Sequence, residues 1–149
     1  MTRIDDTLLR DRLETAIRDH DQVFERFFLA RFLDLSFAYL PEVAPDADKT
    51  VCRVTFPVTP LILNPQGVVH GGVLATVMDV SMGHLLAKIA GPAATIEMKV
   101  QYMRPASEGP LACEGRFTKR GRQISFMESE VTGPGGLRIA HATATWKMP

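Results

Sequence analysis

The segment from Gly72 to about Ala90 is the only stretch of this chain apolar enough to read as a buried helix, and four strand-like runs joined by short turns follow it. Gly71-Gly72 opens the helix and Gly91-Pro92 stops it. The runs are Thr95 to Arg104, Leu111 to Lys119, Arg122 to Thr132 and Leu137 to Trp146. In the first, alternation puts Ile96, Met98, Val100 and Tyr102 on one face; in the second it does so for Leu111, Cys113 and Phe117. Arg120-Gly121 and Gly133-Pro-Gly-Gly136 suit hairpin turns, so the last three runs are expected as antiparallel neighbours. Such a sheet must cover its apolar face, and only the long helix can do so. The expectation is an α+β fold, one antiparallel sheet wrapped around one helix. Upstream, Leu35 to Tyr39 reads as a strand. Thr50 to Val58 reads as another, with Cys52, Val54, Phe56 and Val58 sharing a face, and a Pro- and Asp-rich loop spans Pro41 to Lys49 between them. Residues 1–33 read as a helical segment ahead of a main domain over 34–149. Ile4, Leu8, Leu13, Ile17, Phe24, Phe27 and Phe28 recur there at helical spacing. That segment suits a lid, an oligomer contact or a packed surface helix.

Composition narrows the function classes. Seventeen basic and seventeen acidic residues leave a formal net charge of zero, which argues against a nucleic-acid-binding surface over the whole domain. Cys52 and Cys113 are too few for a disulfide framework and have no Cys or His neighbour at metal spacing, so both read as small core residues and no metal is expected. The most apolar stretch contains Asp79, His84 and Lys88, so no membrane span is expected. The start of the chain lacks an apolar signal region and carries Asp5, Asp6, Asp11 and Glu14, which makes a cytoplasmic location the default.

The chemistry gathers where the loop Asn64-Pro-Gln-Gly-Val-Val-His-Gly-Gly enters the helix. Free backbone N–H groups at a positive helix end suit a negative or developing-negative oxygen. Asp79 lies two turns in. On a wheel of about 100° per residue, Gly72, Ala75, Thr76, Met82, Gly83 and Leu86 fall within roughly 60° of it. This small, mostly apolar face lets a second helix or a slim ligand approach. Ser81, His84 and Lys88 fall on the opposite side, where a solvated stripe is expected. Asp79 has no cation at i±3 or i±4. A carboxylate among apolar groups is costly unless bonded or used. Two readings stay open: a base or nucleophile, or a structural acceptor of backbone or Thr hydrogen bonds. His70 suits either a donor or a loop cap, and Asn64 either a positioning amide or a turn opener.

Taken together, Asn64-x-x-Gly67-x-x-His70-Gly71-Gly72 with an Asp eight residues after Gly71 resembles the hotdog-fold acyl-CoA thioesterases, the phenylacetate-pathway type in particular. Thr95-Ile-Glu-Met-Lys-Val-Gln-Tyr-Met-Arg-Pro105, Arg120-Gly-Arg122 and the run from Ala140 to Trp146 extend the resemblance, which covers about Phe27 to Trp146. It implies a hotdog fold and hydrolysis of an acyl-CoA to free acid and CoA, without a cofactor. It implies that Asp79 is general base or nucleophile and that the Gly71 N–H polarises the carbonyl. Asn64 then positions water or carbonyl, His70 supports the loop and Thr95 helps hold the water. It further implies CoA bound across subunits, with Gly72, Met82 and Gly83 along the substrate path and Arg104, Arg120 and Arg122 near the phosphates, where planar guanidinium groups suit the anion. A homodimer, paired again as a homotetramer, is the assembly expected. Relatives with Glu in place of Asp79 carry a hydroxyl one turn later; here that position is Gly83. Two competing classes share the pocket: a non-catalytic acyl-CoA-binding protein, and a dehydratase or hydratase pairing His70 with Asp79.

Overall fold

The computed structural model describes residues 4–41 and 47–149. Helices α1 (Asp6–Asp19) and α2 (Phe28–Phe32) precede strands β1 (Ser36–Leu40) and β2 (Val51–Phe56). Helix α3 (Gly71–Ile89) follows, then β3 (Ala94–Tyr102), β4 (Leu111–Lys119), β5 (Ile124–Thr132) and β6 (Arg138–Lys147). Of the loop expected from Pro41 to Lys49, residues 42–46 lie outside the described residues. One six-stranded sheet, all pairs antiparallel, runs β1-β2-β4-β5-β6-β3 and packs on α3. This is the hotdog architecture. The alternation read for Cys52, Val54 and Phe56 holds: all three are buried.

Sheet and helix pass in close contact at Gly115. A Cβ there would lie 2.7 Å from the Ser81 carbonyl carbon, so only glycine fits. Beside it a small buried polar knot closes the contact. The Ser81 and Ser129 hydroxyls are 2.9 Å apart, the Cys113 thiol is 3.1 Å from Ser129 Oγ, and Ser81 Oγ donates to the Met78 carbonyl at 2.8 Å. Burial pushes the Cys113 thiol up to about 11 and the Cys52 thiol to about 12, so neither is a nucleophile near neutral pH.

The side of α3 expected to be a solvated stripe is largely covered. Ser81 and His84, expected on a solvated stripe, are buried, the first under β4 and β5 and the second under the chain between α1 and α2. Lys88 alone of the three is exposed. The Asp79 side is the open one: Gly72 is exposed, and Ala75, Thr76, Asp79 and Gly83 are partly so. Helix α3 is long and apolar enough, at a mean hydropathy of 1.3, to cross a membrane by length and composition alone, but it is the core helix on which the sheet packs.

The N-terminal segment forms two short helices with an intervening strap. On α1, Ala16 is buried and Leu8 partly so, while Leu13 and Ile17 stay exposed, so the apolar line read at helical spacing is only partly covered. The strap sits on His84. Its Nε2 accepts the Glu25 N–H at 3.1 Å, and Glu25 holds a left-handed φ of 74°. Phe37 stacks on the imidazole at 4.7 Å, and Phe24 and Phe27 close it in at 5.0 and 5.6 Å. The Tyr39 hydroxyl donates to Glu25 Oε1 at 2.7 Å.

Burial holds the His84 imidazole below its ordinary value, against the opposing pull of Glu25 and the Val80 carbonyl. The unfolded chain takes up this proton near pH 6.5 and the folded chain resists it. Stability carried by neutral His84 is therefore full above that pH and falls as pH drops toward the folded value. Denaturant melts at pH 7.5 and pH 5.5 should show a loss on acidification that His84→Gln, which keeps an acceptor but does not titrate, diminishes.

Candidate active site

The loop before α3 is fixed by its own polar groups. Asn64 Oδ1 accepts the Gln66 N–H at 2.9 Å and the Val68 N–H at 3.4 Å. Gly67 takes a φ of 79°, a conformation that favours glycine. Val69 N–H donates to the Ala106 carbonyl and His70 N–H to the Ile62 carbonyl, both at 2.8 Å. His70 is the N-cap of α3: its Nδ1 accepts the Gly72 N–H at 3.1 Å, so of its two expected roles it takes that of loop cap. The first N–H groups of a helix have no intrahelical acceptor. His70 satisfies that of Gly72; among the described residues, the Gly71 N–H is given no acceptor.

Two turns along, Asp79 Oδ1 accepts the Thr95 hydroxyl at 2.8 Å. Strict alternation would put Thr95 on the face opposite Met98, Val100 and Tyr102. A β-bulge between Thr95 and Glu97 resolves this. Tyr102, Val100 and Met98 lie opposite the buried Ala140, Ala142 and Ala144, and after the extra residue Thr95 lies opposite the buried Trp146. Thr95 thereby turns toward α3. Ile96, expected on the Met98 face, is the residue displaced, and it is 55% exposed. Thr76, the other hydroxyl on this side, donates to the Gly72 carbonyl at 2.9 Å.

The remaining residues of interest fall into three places. Met82 is fully buried in the core, and Gly83 faces its own chain's Trp146, whose ring carbon would sit 3.0 Å from a Cβ. Arg104 lies at the Gly71 end of α3, on the wall of a ≈ 260 Å³ cavity shared with Gly71, Leu74 and Tyr102, and donates to the Arg138 carbonyl at 2.9 Å. Arg120 and Arg122 lie at the other end, around a ≈ 490 Å³ cavity with Ala90 and Pro149, and Arg120 pairs with Asp48 at 2.7 Å. Within one chain the fold thus joins Asp79 to Thr95, and Gly72 to His70 beside Gly71, but sets these pairs two helical turns apart.

The sequence reading assigned no role to Tyr102. Its hydroxyl donates to the Gly71 carbonyl at 3.0 Å, and its ring lies 3.3 Å from where a Gly71 Cβ would stand. The available signal was its place in Tyr-x-Arg-Pro, one strand length after Asp79's partner Thr95.

The chain is similar to known proteins in sequence and in fold. The medium/long-chain acyl-CoA thioesterase YigI of Salmonella typhimurium is 24% identical over 119 residues, 68% of this chain and 77% of YigI. The BH2602 protein of Bacillus halodurans, solved with CoA, superposes with a TM-score of 0.83 at 20% identity, covering 100% of this chain and 96% of its own. A phenylacetic acid degradation-related protein of Ralstonia eutropha does so at 0.72 and 24% identity, covering 92% and 99%. The family model of the thioesterase superfamily matches residues 66–140, from the loop before α3 into β6. By that match, over half its length, this chain belongs to the thioesterase superfamily.

Proposed function

We propose that this protein hydrolyses acyl-CoA thioesters to the free acid and CoA. The observation that carries the reading is the Asp79–Thr95 pair on the open face of a helix whose N-terminal Gly71 N–H has no acceptor among the described residues. The names of its relatives supply the substrate class: YigI is an acyl-CoA thioesterase and BH2602 was solved with CoA. In this reading Thr95 occupies one oxygen of Asp79 and leaves the other for chemistry. As general base, that oxygen takes a proton from water as the water attacks the thioester carbonyl. The Gly71 N–H steadies the developing oxyanion. The tetrahedral species collapses, the C–S bond breaks, and the CoA sulfur leaves as thiol with the proton returned from Asp79. The alternative is direct attack by Asp79, through an anhydride that water then cleaves. Asn64, whose Oδ1 is spent within the loop, has its amide N–H groups to offer water or carbonyl. His70 Nδ1 is spent on the helix cap, which counts against a dehydratase role pairing it with Asp79.

The protein is further read as a cytoplasmic homodimer, paired into a tetramer, with residues 1–33 a helical addition to the thioesterase domain. The direct test is release of free thiol from a panel of acyl-CoAs: turnover supports hydrolysis, whereas tight binding without thiol release would make the protein an acyl-CoA sensor.

Arg120 and Arg122 are proposed to hold CoA phosphates. Their cavity adjoins Ala90, roughly 16 Å along the helix from Asp79 at the usual rise per residue, which suits the far end of a pantetheine arm. Arg120→Ala and Arg122→Ala should each raise KM more than they lower kcat, because phosphate contacts remote from the carbonyl act as uniform binding. An equal effect on an acyl-pantetheine lacking those phosphates would remove both residues from the site.

A further inference from the structure

Gly71 has no side chain to hold it, yet the geometry gives it a fixed frame. The peptide joining Gly71 and Gly72 is held from both sides: its carbonyl accepts from the Tyr102 hydroxyl at 3.0 Å, and its N–H donates to His70 Nδ1 at 3.1 Å. The preceding peptide is held through the His70 carbonyl, which accepts the Val73 N–H at 2.9 Å. The Tyr102 ring closes the space above the Gly71 Cα, with ring carbons 3.3 Å from an added Cβ. Glycine is the residue whose backbone moves most freely, so a helix beginning Gly-Gly would fray without such contacts. Tyr102 comes from β3, the strand that also carries Thr95. One strand therefore touches both the Asp79 carboxylate and the Gly71 peptide.

We propose that Tyr102 is a positioning residue for thioester hydrolysis: together with His70 it locks the first peptides of α3, so that the Gly71 N–H stays aimed at the substrate carbonyl. The inference rests on the reading that this N–H polarises the carbonyl, and it adds a residue that acts through it without touching the reacting atoms. Tyr102→Phe keeps the ring, and with it the cavity wall, and removes only the hydroxyl. A neutral hydrogen bond contributes about 0.5–1.5 kcal/mol, so kcat should fall roughly 2- to 10-fold while KM and the melting temperature stay near wild type.

Gly71→Pro separates the proposal from the reading beneath it, because proline is favoured at the first helical position and deletes the N–H. The expected results are a larger loss of kcat in Gly71→Pro than in Tyr102→Phe, and no further loss when Tyr102→Phe is added to Gly71→Pro. If Gly71→Pro keeps wild-type kcat, the N–H reading is wrong and the proposal falls with it. If Gly71→Pro loses activity while Tyr102→Phe does not, or if the two losses multiply, Tyr102 does not act through this N–H and the proposal alone is overturned. Should the proline variant not fold, Gly71→Ala replaces it in the cycle. Its methyl meets the Tyr102 ring at 3.3 Å and so shifts the peptide that the hydroxyl holds at 3.0 Å; adding Tyr102→Phe should then cost little more, and independent effects would again overturn the proposal.

Discussion

Asp79→Asn should give a folded protein that releases thiol from acyl-CoA about 10²- to 10⁴-fold more slowly, the usual contribution of general-base catalysis. The substitution is nearly isosteric and retains an oxygen to accept the Thr95 hydroxyl, so the Asp79–Thr95 contact at 2.8 Å survives in outline. What is lost is the charge and the ability to take a proton. Asp79 is partly exposed on α3 and carries no ion pair among the described residues, so no buried cation is orphaned by neutralising it. A circular-dichroism melt near that of wild type, with activity collapsed, would fit the proposed role. Wild-type turnover in a folded Asp79→Asn protein would leave Asp79 as a structural acceptor only. Thr95→Ala should cost less, since it frees one carboxylate oxygen without removing it. Single-turnover hydrolysis in oxygen-18 water then separates direct attack, which labels Asp79, from activation of water, which does not.

The elements most legible in the sequence are those whose residues meet one environment along their whole length. Cys52, Val54 and Phe56 alternate and are buried, and the apolar helix read from Gly72 to about Ala90 is α3 from Gly71 to Ile89. The loop chemistry was legible for the same local reason: His70, Gly71 and Gly72 act within two residues of one another. Legibility failed where a distant part of the chain decided the outcome. His84 looks solvated on a helical wheel, and it is buried because Phe24 and Phe27 arrive from a strap some 60 residues earlier. Gly83 looked like an opening for a ligand, and Trp146 fills it. Thr95 was placed in the site by resemblance alone, since the bulge that turns it inward leaves no mark on simple alternation.

Mixing two nearly inactive variants should restore activity, because each active site is proposed to draw on two chains. Gly71 and Asp79 are eight residues apart on one helix, and a rise of ~1.5 Å per residue separates their backbones by roughly 12 Å. A thioester carbonyl hydrogen-bonded to the Gly71 N–H at about 3 Å is then too far from Asp79 of the same helix for attack. An antiparallel partner helix brings Asp79 of one chain beside Gly71 and Asn64 of the other. The single chain leaves room for it: Gly72, Ala75, Thr76 and Asp79 lie along the uncovered side of α3. Beside that side runs β3, the end strand of the sheet, hydrogen-bonded to β6 alone, with Ile96 55% and Tyr102 54% exposed. An open strand edge next to an open helix face, both carrying apolar groups, suits a second copy of the same surface related by a two-fold axis. For the mixing test, Asp79→Asn is paired with Asn64→Asp. The latter keeps an oxygen for the Gln66 and Val68 N–H groups and loses only the amide donor. In a mixed dimer one site collects both substitutions and the other neither. Random exchange of equal amounts should therefore recover about a quarter of the wild-type sites, since half the two-fold dimers are mixed and each has one intact site. Mixed dimers that form and stay inactive would place the whole site within one chain, or remove Asn64 from it; Asp79→Asn mixed with Gly71→Pro then decides between these, because recovery there returns the site to two chains without Asn64.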